Sequence, residues 1–447
     1  MFAVTAAVRR AILRDVAIAG LLVALTELVY LLVSGPAARR QSGAPHFVLL
    51  ADALLHGRLW VDPVRAASLG DITPFAGRYY VSFPPMPAFL MLPFVAVAGT
   101  RFNDALFTLL LGACNTALAY VLMRRLSRPG FAGCGLALGR PEALAVAATL
   151  AFGTVHFYAS LVGRVWFTAH IVAVTFLLLY LLECAGRGRP LLAGAALAAA
   201  FLARTPVAFG ALFWMMLALR RSRSPRHLAW QVLQFSIPPV AATALLLTLN
   251  VMRFGNPLDF GYERMRVAPQ LEPGLRAHGL FSPHFVPRNI AAFLVQPPLL
   301  DMRSVALWQA AAGDPPHLLR MLVTPERERR IPFPVRFDPW GTGIWAVSPV
   351  LLFCLRSPPR DGLWVYSAAW LSTLAVALPN LLYYNTGWYQ FGYRFALDVL
   401  PFLLVPLAMG LRRPLHPLWR GAFVFLLALS VAANLLGARW FLGLPPY

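Results

Sequence analysis

The chain is dominated by apolar runs long enough to cross a hydrocarbon layer. A bilayer core of roughly 30 Å takes about 20 helical residues. Lipid offers the backbone no hydrogen-bond partners, so such runs must be helices. The runs predict helices at about 16–34, 105–123, 142–160, 167–184, 190–203, 205–219, 229–250, 343–356, 363–380, 394–411 and 421–440. The segments around Gly163 and Pro206 divide in more than one way, so the count lies between ten and thirteen. Composition agrees: 59% of residues are hydrophobic and 13% charged, against about a quarter charged in an ordinary soluble domain. The expected fold is an all-α polytopic membrane bundle of about 11 transmembrane helices.

The net charge of +21 comes from 39 basic residues, all arginine. It does not indicate nucleic acid, because no soluble domain is visible to carry a basic face. The arginines instead sit in short segments between apolar runs: Arg9, Arg10 and Arg14; Arg124, Arg125, Arg128 and Arg140; Arg187 and Arg189; Arg220, Arg221, Arg223 and Arg226; Arg356 and Arg360; Arg412, Arg413 and Arg420. Short basic connections stay in the cytoplasm. This puts the N-terminus in the cytoplasm and the C-terminus outside. The Ala- and Arg-rich composition suits a GC-rich bacterial genome, hence a bacterial inner membrane. The first run follows arginines but has no small-residue cleavage site, so it is expected to be a helix rather than a signal peptide. Cys114, Cys134, Cys184 and Cys354 avoid the long loops, which argues against a disulfide framework or a cysteine metal site.

Two long connections, at about 35–104 and 251–342, then face outward. They divide the chain into an N-terminal transmembrane module with the first loop (1–250), the second loop (251–342) and the C-terminal helices (343–447). Loops of this length are usually functional when ordered. The apolar stretch Pro87–Ala98 is too short to span comfortably and follows Pro84-Pro85, so it is expected to lie at the membrane surface.

The first loop contains Phe47-Val48-Leu49-Leu50-Ala51-Asp52-Ala53-Leu54-Leu55-His56-Gly57-Arg58-Leu59, then Gly77-Arg78-Tyr79-Tyr80-Val81-Ser82-Phe83-Pro84-Pro85. These strings resemble the loop of GT-C glycosyltransferases, in particular the protein O-mannosyltransferase and aminoarabinose transferase group. Leu122-Met123-Arg124-Arg125 and Gln390-Phe391-Gly392-Tyr393-Arg394-Phe395-Ala396-Leu397-Asp398 are also similar to members of that superfamily. The resemblance covers most of the topology but only these short strings of sequence. It implies an integral membrane enzyme that moves a sugar from a polyprenyl-phosphate carrier to a glycan, lipid or protein acceptor on the outer face. The chain departs from the group in two places. An Asp-Glu pair precedes the first loop helix there, whereas Gln41-Ser42-Gly43-Ala44-Pro45-His46 has no carboxylate. The group's lysine before Pro-Pro is replaced by Phe83.

Transfer to a hydroxyl needs a base for the acceptor proton and positive charge on the leaving phosphate. The first loop offers Asp52, Asp62, Asp71 and Asp104. Asp52 sits in a helical string and can pair with Arg58. Asp62 precedes Pro63 and reads as a turn residue. Asp104 follows Asn103, an ordinary helix start. Asp71 lies after a glycine and before the aromatic run with Tyr79 and Tyr80, and is the candidate base; its alternative role is a loop turn or the N-cap of a short helix. Gln390, Arg394 and Asp398 at i, i+4, i+8 share one face if the helix starts early enough. Charges in membrane helices are costly and often functional. Arg394 is the candidate phosphate ligand with Asp398 holding it, and a structural Arg–Asp pair is the alternative. Arg164, Arg204 and His170 flank short outer turns, where arginine should be rare, and become candidate lipid-phosphate contacts; snorkelling is the alternative for the arginines and a buried, hydrogen-bonded role for His170. Tyr262 and Glu263, in the aromatic start of the second loop, are candidate sugar contacts or interfacial anchors. No spacing defines a metal site, and the resemblance leaves a divalent metal open. A transporter or flippase of lipid-linked saccharide, or a scaffold that keeps the fold without activity, are the competing classes; no internal repeat supports the former.

Overall fold

A computed structural model describes residues 6–127, 136, 138–186, 188–303 and 335–443. Cys134 and Arg128 lie outside the described residues. The first helix, α1 (Ala6–Ser34), is followed by the first long connection, which holds α2 (His46–Leu55), α3 (Pro63–Ala66), the hairpin β1 (Thr73–Phe75) and β2 (Arg78–Tyr80), and α4 (Met86–Ala98). Next come α5 (Asp104–Leu126), α6 (Arg140–Phe152), α7 (His156–Val162), α8 (Val165–Ala185), α9 (Pro190–Phe201), α10 (Ala211–Arg221) and α11 (Pro225–Phe254). The second connection holds α12 (Glu272–His278), α13 (Val286–Ile290) and the short pair β3 (Leu299–Leu300) and β4 (Val335–Arg336). The C-terminal part is α14 (Ile344–Val347), α15 (Leu363–Leu382), α16 (Leu400–Gly410) and α17 (Pro417–Gly443). Among the described residues, six helices are long and apolar enough to span a membrane, and α6 with α7, bent by 51°, form a seventh candidate. The chain is thus a multi-pass, all-α membrane protein.

Four expected helices prove irregular: 142–160 breaks into α6 and α7, 205–219 opens with a 3₁₀ turn at Thr205–Gly210, and two others are part 3₁₀. The 343–356 run is α14 followed by a 3₁₀ turn at Pro349–Leu355. Pro349 lacks the amide proton an α-helix would need there. The run expected from 394 opens with a 3₁₀ turn, Arg394–Asp398, before α16 begins. Pro401 in the first turn of α16 is compatible with a helix start there but not with the interior of a longer one.

Local signals explain the rest. Asn103 caps α5, its side chain accepting from the Leu106 amide at 3.0 Å, with Asp104 in the first turn and Arg124 and Arg125 in the last. This pattern suits the helix dipole. Between helices in lipid, close packing of small residues does the work that water does elsewhere. Gly112 of α5 faces Ser160 of α7, and Gly194 of α9 lies against the Phe235 carbonyl of α11, leaving no room for a Cβ at either point. Gly163, at φ +66° between α7 and α8, sits against the Ala105 backbone. Helix α4 follows Pro84-Pro85 and is half exposed, with Val97 91% exposed.

The two long connections pack together at one end of the bundle. The Asp71 amide donates to the Arg266 carbonyl at 2.7 Å, and the Arg266 amide donates to Ile72 at 3.0 Å. Thr73 Oγ1 lies 2.7 Å from Ser82 Oγ and donates to the Gly261 carbonyl at 3.2 Å.

Candidate functional site

Below these loops is a cavity of about 360 Å³. Its walls come from both loops (Asp71 and Phe83; Tyr262 and Phe281), from α8 (Trp166 and His170), from the end of α15 (Asn380, Tyr383 and Tyr384), and from Arg204, Arg253 and Arg394.

Asp71 reaches the wall through unusual backbone geometry. Its φ is +52°, in the left-handed region. Aspartate tolerates that region better than most residues, yet the conformation is sparsely used. The two backbone hydrogen bonds to Arg266 fix it there. Burial pushes the Asp71 carboxyl up to about 6, while the nearby Arg394 charge and the Trp166 indole pull it down. It is therefore a carboxylate near neutral pH with appreciable basicity.

Arg394 is 3% exposed. Its guanidinium carbon lies 5.3 Å from the Phe167 ring centre, 5.6 Å from Phe395 and 5.7 Å from Trp166. Among the described residues, its Nε and Nη1 have no hydrogen-bond partner. Its backbone amide donates to Gln390 Oε1 at 2.8 Å, and Gln390 in turn donates to the Trp340 and Thr386 carbonyls. Gln390 is thus a buried brace that precedes the 3₁₀ turn, not a third member of a helix face.

Asp398 does not hold Arg394, which corrects the expected pairing. It accepts from His170 Nδ1 at 3.0 Å, from Arg204 Nη2 at 2.9 Å and Nε at 3.2 Å, and from Asn380 at 3.0 Å. Asp398 and His170 are fully buried, and Arg204 keeps a fifth of its side chain exposed on the cavity wall. The reason is geometric: the tight 3₁₀ turn sends residues 394 and 398 to different neighbours instead of stacking them one above the other. His170 Nε2 is buried without a partner among the described residues.

The remaining sequence candidates scatter. Tyr262 lines the cavity, its hydroxyl pushed up to about 12 by burial. Glu263 next to it is exposed and does not line it. Arg164 lies outside the cavity lining, 6.0 Å from the Phe441 ring centre. Tyr79 sits in the hairpin, its hydroxyl accepting from Arg266 at 3.3 Å, and Tyr80 packs edge-on to Phe254. Asp52 stays on α2, 3.7 Å from His56 and 3.8 Å from Arg58. Asp62 caps α3, and Asp104 accepts from the Ser42 amide and hydroxyl at 2.7 and 2.6 Å. Where the resemblance leads one to expect acids, Gln41 and Ser42 tie the loop to the start of α5. Phe83, in place of the lysine, packs against His46, Phe47 and Tyr262. Sequence reasoning missed Asn380, Tyr383, Tyr384, Trp166 and Arg253. Asn380 had a signal, being an amide in an apolar run. The others look like interfacial residues until the fold converges them.

Among the described residues, no three His, Cys, Asp or Glu side chains come together as metal ligands. The cavity lining pairs one carboxylate with three arginines, a donor set that suits an anion and repels a divalent cation.

The solved structures include a match over nearly the whole chain: ArnT from Cupriavidus metallidurans, bound to undecaprenyl phosphate in its crystal. The TM-score is 0.50 at 12% identity, covering 97% of this chain and 76% of that one. The fold is GT-C-like. No family profile matches the chain, and no curated protein matches it. The likeness is therefore one of fold, and the site's chemistry rests on this chain's own residues.

Proposed function

We propose that the chain is a membrane glycosyltransferase that takes a sugar from a polyprenyl-phosphate donor, with its cavity on the extracytoplasmic side. The observation that carries this is Arg394, a buried guanidinium with two nitrogens that have no hydrogen-bond partner among the described residues, beside the one carboxylate described on the cavity wall. A buried charge without partners is costly, and a phosphate would relieve that cost through charge-assisted hydrogen bonds. The ArnT likeness supports it, since that protein holds undecaprenyl phosphate in the same fold. The arginine-rich short connections support the sidedness.

In this reading Asp71 accepts the proton of an acceptor hydroxyl as the oxygen attacks the anomeric carbon. The bond from that carbon to the phosphate oxygen breaks, and polyprenyl phosphate leaves against Arg394 and Arg204. A single displacement inverts the anomeric centre. Asp398 holds Arg204 and His170 in place by the bonds given above. Tyr262, Tyr383 and Tyr384 offer ring faces to the sugar.

The test is binding of undecaprenyl phosphate to the full-length protein in detergent, followed through tryptophan fluorescence. The parent should bind, and Arg394→Ala should bind at least about tenfold more weakly, the scale of one lost charged hydrogen bond. No binding by the parent would sink the reading. A through-going cavity that alternates between faces would favour transport instead.

A further inference from the structure

A second cavity, about 640 Å³ in volume, lies at the opposite, arginine-rich end of the bundle. It is a furrow between α1 and α8, floored by the last turns of α5. Its wall changes character along its length. Val16 and Ala19 of α1, Val121 of α5 and Leu179 of α8 line the part nearer the middle of the helices. Charged groups rim the end: Asp15, Arg124, Arg125, Glu183 and Arg189.

The rim's hydrogen bonds are unequal. Asp15 accepts from Arg140 Nε at 2.8 Å and from Arg124 Nε at 3.3 Å, so one carboxylate serves two guanidinium groups. Glu183 is taken up by Arg189, which donates from Nε and Nη2 at 2.8 and 2.9 Å. The Arg125 side chain forms no hydrogen bond with the described residues, although its charge acts on Glu183; it lies against Gly186, which has no Cβ to displace it. Three guanidinium groups on the rim, with Arg140 behind it on Asp15, thus meet two carboxylates, and the surplus is positive.

We infer that this furrow binds an anionic glycerophospholipid, its phosphate on Arg125 and Arg124 and an acyl chain along Val16, Val121 and Leu179. Charge complementarity selects the headgroup. The apolar stretch, which stays inside the membrane while the rim reaches the interface, selects a lipid over a free anion. The occupant also has a structural task. Helix α1 has only 11% of its apolar window buried and leans mainly on α5. A chain in the furrow adds a link to α8 beyond the contacts α1 makes with α5 and α7. This site is separate from the cavity under the loops, and its test does not depend on turnover there.

The experiment is thermal unfolding and native mass spectrometry of the full-length protein in a neutral detergent. Phosphatidylglycerol, phosphatidylcholine and inorganic phosphate are titrated separately. Phosphatidylglycerol should raise the unfolding midpoint and appear as a retained adduct, while the other two should not. Arg125→Gln should weaken that response by about tenfold, and Val16→Trp, which fills the furrow, should abolish it. Arg223→Glu, a charge reversal elsewhere at the same end, should respond like the parent. An equal response to phosphatidylcholine, or an Arg125→Gln response matching the parent's, would overturn the inference. So would a shift reproduced by phosphate alone. Should Val16→Trp not fold, the Arg125→Gln and Arg223→Glu pair decides the matter.

Discussion

Asp71 adopts a backbone angle that most side chains avoid, and it keeps its proton to a higher pH than a surface carboxylate does. Both properties bear on how it can be tested. Asparagine shares the tolerance for left-handed geometry, so Asp71→Asn should fold like the parent while sugar transfer falls by about 10² to 10⁴, the usual worth of a general base. The pH dependence has a definite sign. Burial raises the carboxyl to about 6, so the base is present above that pH and is lost as pH falls through it. The rate of transfer under donor-limiting conditions should therefore climb as pH rises from 5 to 7, and a flat profile would remove Asp71 from the role. Arg394 is tested by shape more than by charge. Lysine keeps the cation but cannot present two nitrogens in a plane or stack between Trp166, Phe167 and Phe395. Arg394→Lys should lose most of the donor affinity, measured by the same fluorescence titration.

The helices were largely legible as elements because each membrane-crossing run carries its own hydrophobic signature and its own arginine marker. The irregular turns at 349–355 and 394–398 were not, since the proline signals that break them sit inside equally apolar sequence. The site was legible only in part. Asp71, Arg204, Arg394, His170 and Tyr262 line the cavity together, because charge and aromaticity near helix ends are visible in a linear string. The pairing was not visible: that Asp398 holds Arg204, 194 residues away, is a long-range contact that no local spacing encodes. Close approach between elements is a further property of the fold rather than of the string. Gly437 of α17 lies directly on the Phe391 ring, which is fully buried, whereas nothing lies within 4 Å of Gly20 on α1. Gly437→Val should cost about 1–3 kcal/mol through overpacking, read as a lowered unfolding midpoint in detergent. Gly20→Val should leave the midpoint nearly unchanged.

At the level of the whole molecule, Asp398 ties four stretches together: α8 through His170, the segment after α9 through Arg204, α15 through Asn380, and its own turn before α16. Removing one member of a buried charged set leaves the others uncompensated, at about 3–5 kcal/mol. Asp398→Ala should lower the unfolding midpoint markedly, and the combined Arg204→Met, Asp398→Leu protein should lose less than either single change. If the double variant is the least stable of the three, the bonds are worth more than an apolar replacement. The backbone bridge between Asp71, Ile72 and Arg266 bears on motion. The two long loops are stitched edge to edge at the very residue proposed as the base, so neither can swing open alone without pulling that base off its mark. On the proposed reading, a donor whose tail stays in the bilayer must slip in sideways between helices, or lift both loops as one lid. Met265 already has the extended backbone that tolerates a following proline, so Arg266→Pro would remove the amide of one stitch together with the side chain's bonds to Ala67 and Tyr79. Turnover should fall although every side chain of the cavity is still present, and such a loss would identify the remote loop as part of the lid's hinge.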